Sequence, residues 1–275
     1  EEKFIREFEL MLGKAYNFFQ RNLRALKTVK HPKLLASGLG GPLHRTLIAT
    51  WRMSGSPVVG FPHGNSFATC YDTIHIDSDG LSIVPQLYAS TKGQASLLKK
   101  LAVQHASNLE TAEISAPERS LYADLFEKLQ KDKPTREIKR IMLIGFPLDK
   151  YFYPSLPAHH AFSNLHLELR LAKLLKKHNY EVLYKAHPDR LEETTGLFDS
   201  AVDEIVTDKF EDAYNRADAI FFSYSRTSTF GYAMLTRKPM ILLNVNDVMW
   251  DPRAFELIKR RCRIVPATSN DIGQI

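Results

Sequence analysis

Two stretches of this 275-residue chain bring ionisable and hydroxyl side chains to points where a strand gives way to a turn. In Tyr184-Lys185-Ala186-His187-Pro188-Asp189-Arg190, an apolar strand runs into a histidine, and Pro188 ends the strand by fixing φ and removing a backbone donor. An imidazole there can donate to a phosphate oxygen, with Lys185 and Arg190 adding positive charge. A turn histidine without a ligand is the competing reading. In Ser223-Tyr224-Ser225-Arg226-Thr227-Ser228-Thr229, hydroxyls crowd the passage from a strand to a helix. The unpaired N–H groups and positive dipole end of a helix start can hold a phosphate without a glycine-rich loop. Thr227 or Ser228 also suits the N-cap, and the hydroxyls around it exceed what one cap requires. Two weaker signals lie earlier. His63, in Gly60-Phe61-Pro62-His63-Gly64, can accept a proton or touch a phosphate, and Gly64 allows close backbone approach. Asp77 and Asp79 offer two carboxylates, but Ile74, Ile76, Leu81 and Ile83 alternate around them, so Asp79-Gly80 reads equally well as a hairpin turn. His159 and His160, after a later strand, are candidates for the acceptor side or for plain solvent exposure.

Hydrophobic spacing shows what must position these groups. Phe4, Phe8, Met11, Leu12, Ala15, Phe19, Leu23 and Leu26 recur at three- and four-residue intervals and predict one amphipathic helix over residues 1–29. Such a face ordinarily packs on its own domain; Arg21, Arg24, Lys27 and Lys30 leave a membrane surface or a missing partner segment as the alternative. A strand at 33–37, a turn at Gly38, Gly40 and Gly41, a helix from Leu43 to Met53 and a strand at 57–62 complete a βαβ unit, so a parallel sheet is expected. A strand from Gln86 to Ser90 precedes a helix from Gln94 to Ala106. A charged helix, Pro117 to Lys131, leads into Lys133-Pro134-Thr135-Arg136, which reads as a hinge. Beyond it, strands at 141–146, 181–185, 204–206, 219–222, 240–243 and 263–265 alternate with helices at 164–178, 191–200, 210–216, 227–236 and 252–261. That alternation predicts a doubly wound Rossmann-type sheet. The expected fold class is therefore α/β, with two Rossmann-like domains across a cleft: a partial acceptor-side domain at 1–132 and a nucleotide-donor domain at 133–275. In open sheets of this kind, ligands sit beyond the carboxyl ends of the strands.

Composition narrows the class. With 44% hydrophobic and 25% charged residues, the chain reads as soluble and globular, and disordered, fibrous and collagen-like classes are excluded. No run approaches the roughly 20 apolar residues of a membrane span, and no signal segment opens the chain, so a cytoplasmic place is expected, with peripheral attachment to the inner membrane face as an option. Cys70 and Cys262 form no ligand cluster, and two buried thiols are expected. A net charge of +6 does not favour a nucleic-acid partner and suits an anionic small molecule or an anionic membrane face. The chain starts at Glu1 without Met and stops after Ser269 and Asn270 in what reads as a helix start, so it is expected to be part of a longer protein.

A strand-end His-Pro followed by a Ser/Thr-rich helix start resembles the donor half of GT-B glycosyltransferases of bacterial surface-polysaccharide synthesis. The pattern is most similar to that of capsule and O-antigen Kdo transferases, with bacterial sialyltransferases showing a related pair. Ser228-Thr229-Phe230-Gly231-Tyr232-Ala233-Met234-Leu235, followed by Arg237-Lys238-Pro239, is similar to the helix and turn that recur there. The resemblance spans residues 140–265, with only a loose match before them. It implies that His187, Ser225, Ser228 and Thr229 hold the nucleotide phosphate, while Lys185, Arg190 and Thr227 join that site from their residue types and positions alone. Many members carry a ribose- or base-contacting Glu where this chain has Ala233. Asp77, Asp79 and Gly80 resemble, with one residue inserted, the acidic motif whose carboxylate deprotonates the acceptor. His63-Gly64 resembles the His-Gly of teichoic-acid glycerophosphotransferases, with Pro62 in place of the usual Trp. The implied activity is metal-independent transfer of an acidic sugar, Kdo or sialic acid, from a CMP donor to a surface or lipid-linked glycan. The implied partners are that donor, the glycan acceptor, and a membrane surface or further domains; neither a cofactor nor nucleic acid is implied. A CDP-glycerol phosphotransferase, a sugar-nucleotide 2-epimerase and a non-catalytic nucleotide- or glycan-binding module are the alternatives.

Overall fold

The computed structural model describes residues 2–30, 32–37, 42–62, 69, 83–105, 113–146, 158–188, 191–194, 196–244 and 249–268. The chain divides into two compact units, Glu1–Leu121 and Tyr122–Ile275.

The front unit runs α1 (Glu2–Leu26), β1 (Leu34–Ser37), α2 (Pro42–Met53), β2 (Val58–Phe61), β3 (Gln86–Tyr88), α3 (Lys92–His105) and β4 (Glu113–Ser115). Among the described residues its strands form one parallel sheet in the order β1-β2-β3-β4. Ile48 of α2, Val58, Leu87, Ile114 and Leu97 and Leu98 of α3 make its core. Thr91 explains where α3 starts: its Oγ1 accepts from Gln94 N at 3.0 Å, and Gln94 Oε1 accepts from Ser90 N at 2.7 Å, a close variant of the capping box. Strand β4 is absent from the sequence expectation. Only Ile114 of its three residues points inward, so no periodic signal marks it.

The back unit begins with α4 (Leu121–Leu129), followed by β5 (Arg140–Ile144), α5 (Ala158–Lys177), β6 (Glu181–Lys185), α6 (Leu191–Thr194) and β7 (Glu204–Val206). Then come α7 (Phe210–Ala213) with a 3-10 turn at Tyr214–Arg216, β8 (Ala219–Phe222), α8 (Ser228–Leu235), β9 (Met240–Asn244), α9 (Pro252–Arg261) and β10 (Arg263–Pro266). Helix α4, placed from sequence on the front side of a boundary after Asp132, packs with this unit. Leu129 lies in its core with Leu125 against it, Gln130 Nε2 donates to Leu235 O at 2.9 Å, and Tyr214 Oη donates to Asp132 at 2.7 Å. The helix expected over 191–200 covers only Leu191–Thr194, and Gly196 then adopts a φ of +82° that side chains resist.

All strands of the back sheet run parallel, in the order β10-β9-β8-β5-β6-β7 among the described residues. Counted from β5 along the chain this is 3-2-1-4-5-6, the doubly wound order, whose direction of winding reverses between β5 and β8. Both faces are covered, so the central strands read as unbroken apolar runs. Met142, Ile144, Ile220 and Phe222 face Phe230 and Ala233 of α8 and Ile258 of α9. Ile141, Leu143, Ala219 and Phe221 face Leu167 and Ala172 of α5. That division follows from the two-residue alternation of a strand.

Candidate functional site

The switch between β5 and β8 is where the fold directs attention. Ile144 pairs with Lys185 on one side and with Phe222 on the other, so the residues that follow all three strands leave the sheet at one level. Gly145, Ala186 and Ser223 come first, then Phe146, His187 and Tyr224. Sheet spacing puts the ends of β6 and β8 about 10 Å apart, with the β5 chain between them.

A buried carboxyl ties these ends together. Glu168 of α5 has 0% exposure and accepts from Tyr184 Oη of β6 at 2.7 Å, from Phe146 N and from Ser223 Oγ at 3.4 Å. Tyr184 is stacked on Phe198 with ring centroids 4.0 Å apart. Across the switch, Tyr224 Oη donates to Gly145 O at 3.1 Å and its ring meets Phe146 edge-on at 5.0 Å. Glu168 is absent from the sequence expectation, and Tyr184 and Tyr224, though within the two motifs, carry no role in it. One signal pointed to Glu168: Asn164, Glu168, Leu171, Ala172 and Leu175 share one stripe of α5, so a carboxylate and an amide stand on an inward helix face.

Gly145 is the residue this packing cannot enlarge. A Cβ there would lie 2.7 Å from Tyr184 Cζ and 3.1 Å from Lys185 O. Tyr184 is held by its stack and its hydrogen bond, so Gly145→Ala should destabilise the back unit by about 1–3 kcal/mol. A urea midpoint equal to the parent's would mean that Tyr184 gives way freely.

The predicted donor-side residues are distributed around this switch. Lys185 is 7% exposed, and its Nζ donates to Ala186 O at 2.7 Å, which holds the cation against the carbonyl just before His187. Burial pushes the Lys185 ammonium below its ordinary range, while Glu211 and Asp208 act in the opposite direction. His187 is half-buried at the end of the same strand. Ser225 is buried, Thr227 and Thr229 are half-buried, and Ser228 is exposed. Thr227 is the N-cap of α8, in extended conformation, with its Oγ1 accepting from Thr229 N at 3.3 Å. Its own N–H donates to Ser225 O at 2.9 Å, and Phe230 N donates to Thr227 O at 3.1 Å. The turn is thus partly self-satisfied, and the hydroxyls of Ser228 and Thr229 remain at the helix start. The far end of α8 is closed by Arg261, whose Nη2 donates to Thr236 O at 2.6 Å and to Lys238 O at 2.8 Å. Ala233 has 0% exposure within the core, so no acid reaches a ligand from that position.

His63, Asp77, Asp79 and Arg190 lie outside the described residues, as does Cys70, and the side chains of His159 and His160 are likewise not described. Cys262 is buried as expected; burial pushes its thiol up to about 11, with Arg261 acting against the rise. Among the described residues no group of three or more His, Cys, Asp or Glu is placed to hold a metal ion, and no helix is long and apolar enough to cross a membrane. No protein-family model matches the chain, and no curated protein matches it.

Proposed function

We propose that this chain is a GT-B type glycosyltransferase that moves an acidic sugar from a cytidine nucleotide to a surface or lipid-linked glycan. The observation that carries the reading is the hydroxyl-rich turn from Ser223 to Thr229, which leaves β8 beside β5, where the winding of the sheet reverses. Doubly wound sheets bind nucleotide phosphates at such a point. Ser225, Ser228, Thr229 and His187 would donate to the phosphate, Thr227 would hold the turn in shape, and Lys185 and Arg190 would supply charge. In the reaction, the acceptor hydroxyl oxygen bonds to the anomeric carbon as the bond from that carbon to the phosphate oxygen breaks. A base takes the hydroxyl proton, a role for which the sequence offers Asp77, Asp79 and His63, and the nucleotide leaves with the electron pair, its charge met by hydrogen-bond donors such as those of Ser225 and His187.

Ala233 favours a second reading, a nucleotide- or glycan-binding module without turnover, because an alanine buried in the core supplies no ribose contact. Melting the protein with CMP, CDP, UDP and GDP in turn tests what both readings share. A nucleotide at a hundred times its dissociation constant adds about 2.7 kcal/mol, which should raise the melting temperature by several degrees. The expected order places the cytidine nucleotides first. If no nucleotide raises it, the transferase reading loses its support; a shift without consumption of any CMP- or CDP-linked donor selects the binding module.

A further inference from the structure

Helix α1 presents an apolar face that its own unit leaves uncovered. Residues 2–14 are exposed throughout, and burial along the helix starts only at Ala15. Phe4 is 74% exposed, Phe8 47%, Leu12 52% and Tyr16 62%, and the rings of Phe4 and Phe8 stack 6.4 Å apart. With Ile5 and Met11, these side chains share one broad arc of the helix. The later part of that arc is used within the unit, where α1 packs on α2. Leu23 and Leu26 there line an open groove of about 620 Å³ together with Lys27 and Lys33.

The charge is mixed around the most exposed part of this face, where Lys3 and Arg6 stand among acids, and of one sign beyond it. The acids of α1, Glu2, Glu7 and Glu9, are confined to its first turns, and from Leu10 to Tyr71 the chain holds no aspartate or glutamate. Lys14, Arg21, Arg24, Lys27, Lys30 and Lys33 fall in that stretch and are all exposed. The excess positive charge is therefore gathered in the later part of α1 and the chain just after it, following the uncovered apolar stretch.

We propose that α1 seats the front unit on an anionic lipid bilayer. Phe4, Phe8, Met11 and Leu12 would enter the boundary between headgroups and acyl chains, and the lysines and arginines from Lys14 onward would meet anionic headgroups. Charge decides against two other occupants, a second copy and a nucleic acid. A second copy docking through the same surface would set these cations against each other, and a nucleic acid would satisfy them while leaving the phenylalanines in water. A bilayer with anionic headgroups matches both parts of the surface. What the back unit binds does not enter into this.

Co-sedimentation of the 275-residue chain with vesicles tests it. Vesicles with about a third phosphatidylglycerol should bind at least tenfold more tightly than pure phosphatidylcholine, with the difference shrinking as salt rises. The exposed-face variant Phe4→Glu/Phe8→Glu should lose tenfold or more in binding to the anionic vesicles, at an unchanged melting temperature. Arg24→Glu/Lys27→Glu should keep the residual binding to neutral vesicles and lose the preference for anionic ones. Equal binding to both vesicle types, binding to neither, or tighter binding to duplex DNA than to anionic vesicles would overturn the proposal. So would a lipid-free dimer that Phe4→Glu/Phe8→Glu converts to monomer.

Discussion

Glu168→Ala should cost the back unit about 3–5 kcal/mol and lower its melting temperature by roughly 6–20 °C. The carboxyl has 0% exposure and accepts from the Tyr184 hydroxyl, the Phe146 N–H and the Ser223 hydroxyl. Alanine removes every acceptor at once. The Tyr184 hydroxyl is itself buried, and a buried donor stripped of its partner costs about 1–3 kcal/mol. Domains carry only about 5–15 kcal/mol of stability, so the loss would be a large share of the total. Glu168→Gln keeps one acceptor oxygen and the side-chain volume and should lose clearly less. Combining Glu168→Gln with Tyr184→Phe should give a deficit smaller than the sum of the two, since both remove the same hydrogen bond. Urea midpoints followed by circular dichroism measure all of these. A Glu168→Ala midpoint within error of the parent's would show that water takes over the carboxyl's bonds and that this residue does not hold the switch.

His187→Ala should lower kcat/KM for the nucleotide-sugar donor ten- to a hundredfold, as the loss of one charge-assisted hydrogen bond of about 1.5–3 kcal/mol requires. His187 is half-buried at the end of β6, outside the apolar clusters of the back unit. Its removal should therefore change the melting temperature far less than Glu168→Ala does. That contrast separates a ligand contact from a structural role. Thr227 needs the same care, because its Oγ1 caps α8. Thr227→Ser keeps the cap and should retain stability and binding, while Thr227→Ala should lose about 1 kcal/mol of stability whatever it does to the donor. Donor turnover by His187→Ala at the parental rate would remove the histidine from the mechanism.

The sequence by itself determined the elements of the back unit. The strands from Arg140–Ile144 to Arg263–Pro266 are short apolar runs bounded by polar turns, and helices stand between them as read, except that the one expected over 191–200 ends at Thr194. Local chemistry also determined how helices start: Thr227 caps α8, and Asp251 accepts from Arg253 N and Ala254 N ahead of Pro252 in α9. Such features are legible because a cap or a two-residue alternation involves neighbours a few positions apart. The tertiary structure decided what depends on distant residues meeting. That β5 lies between β6 and β8, and that the winding therefore reverses beside Ser223, is a matter of which strand edges pair. No local pattern carries that information. The same holds for Glu168, which accepts from Tyr184, Phe146 and Ser223, brought together from separate strand ends. In the sequence it is one glutamate in a helix; only burial turns it into the tie between those ends. For α1 the periodicity established an amphipathic helix, and only the packed unit shows which part of its apolar face, from Phe4 to Leu12, is left uncovered. Burial is a property of the whole chain, because what covers a side chain is set by elements far from it in sequence.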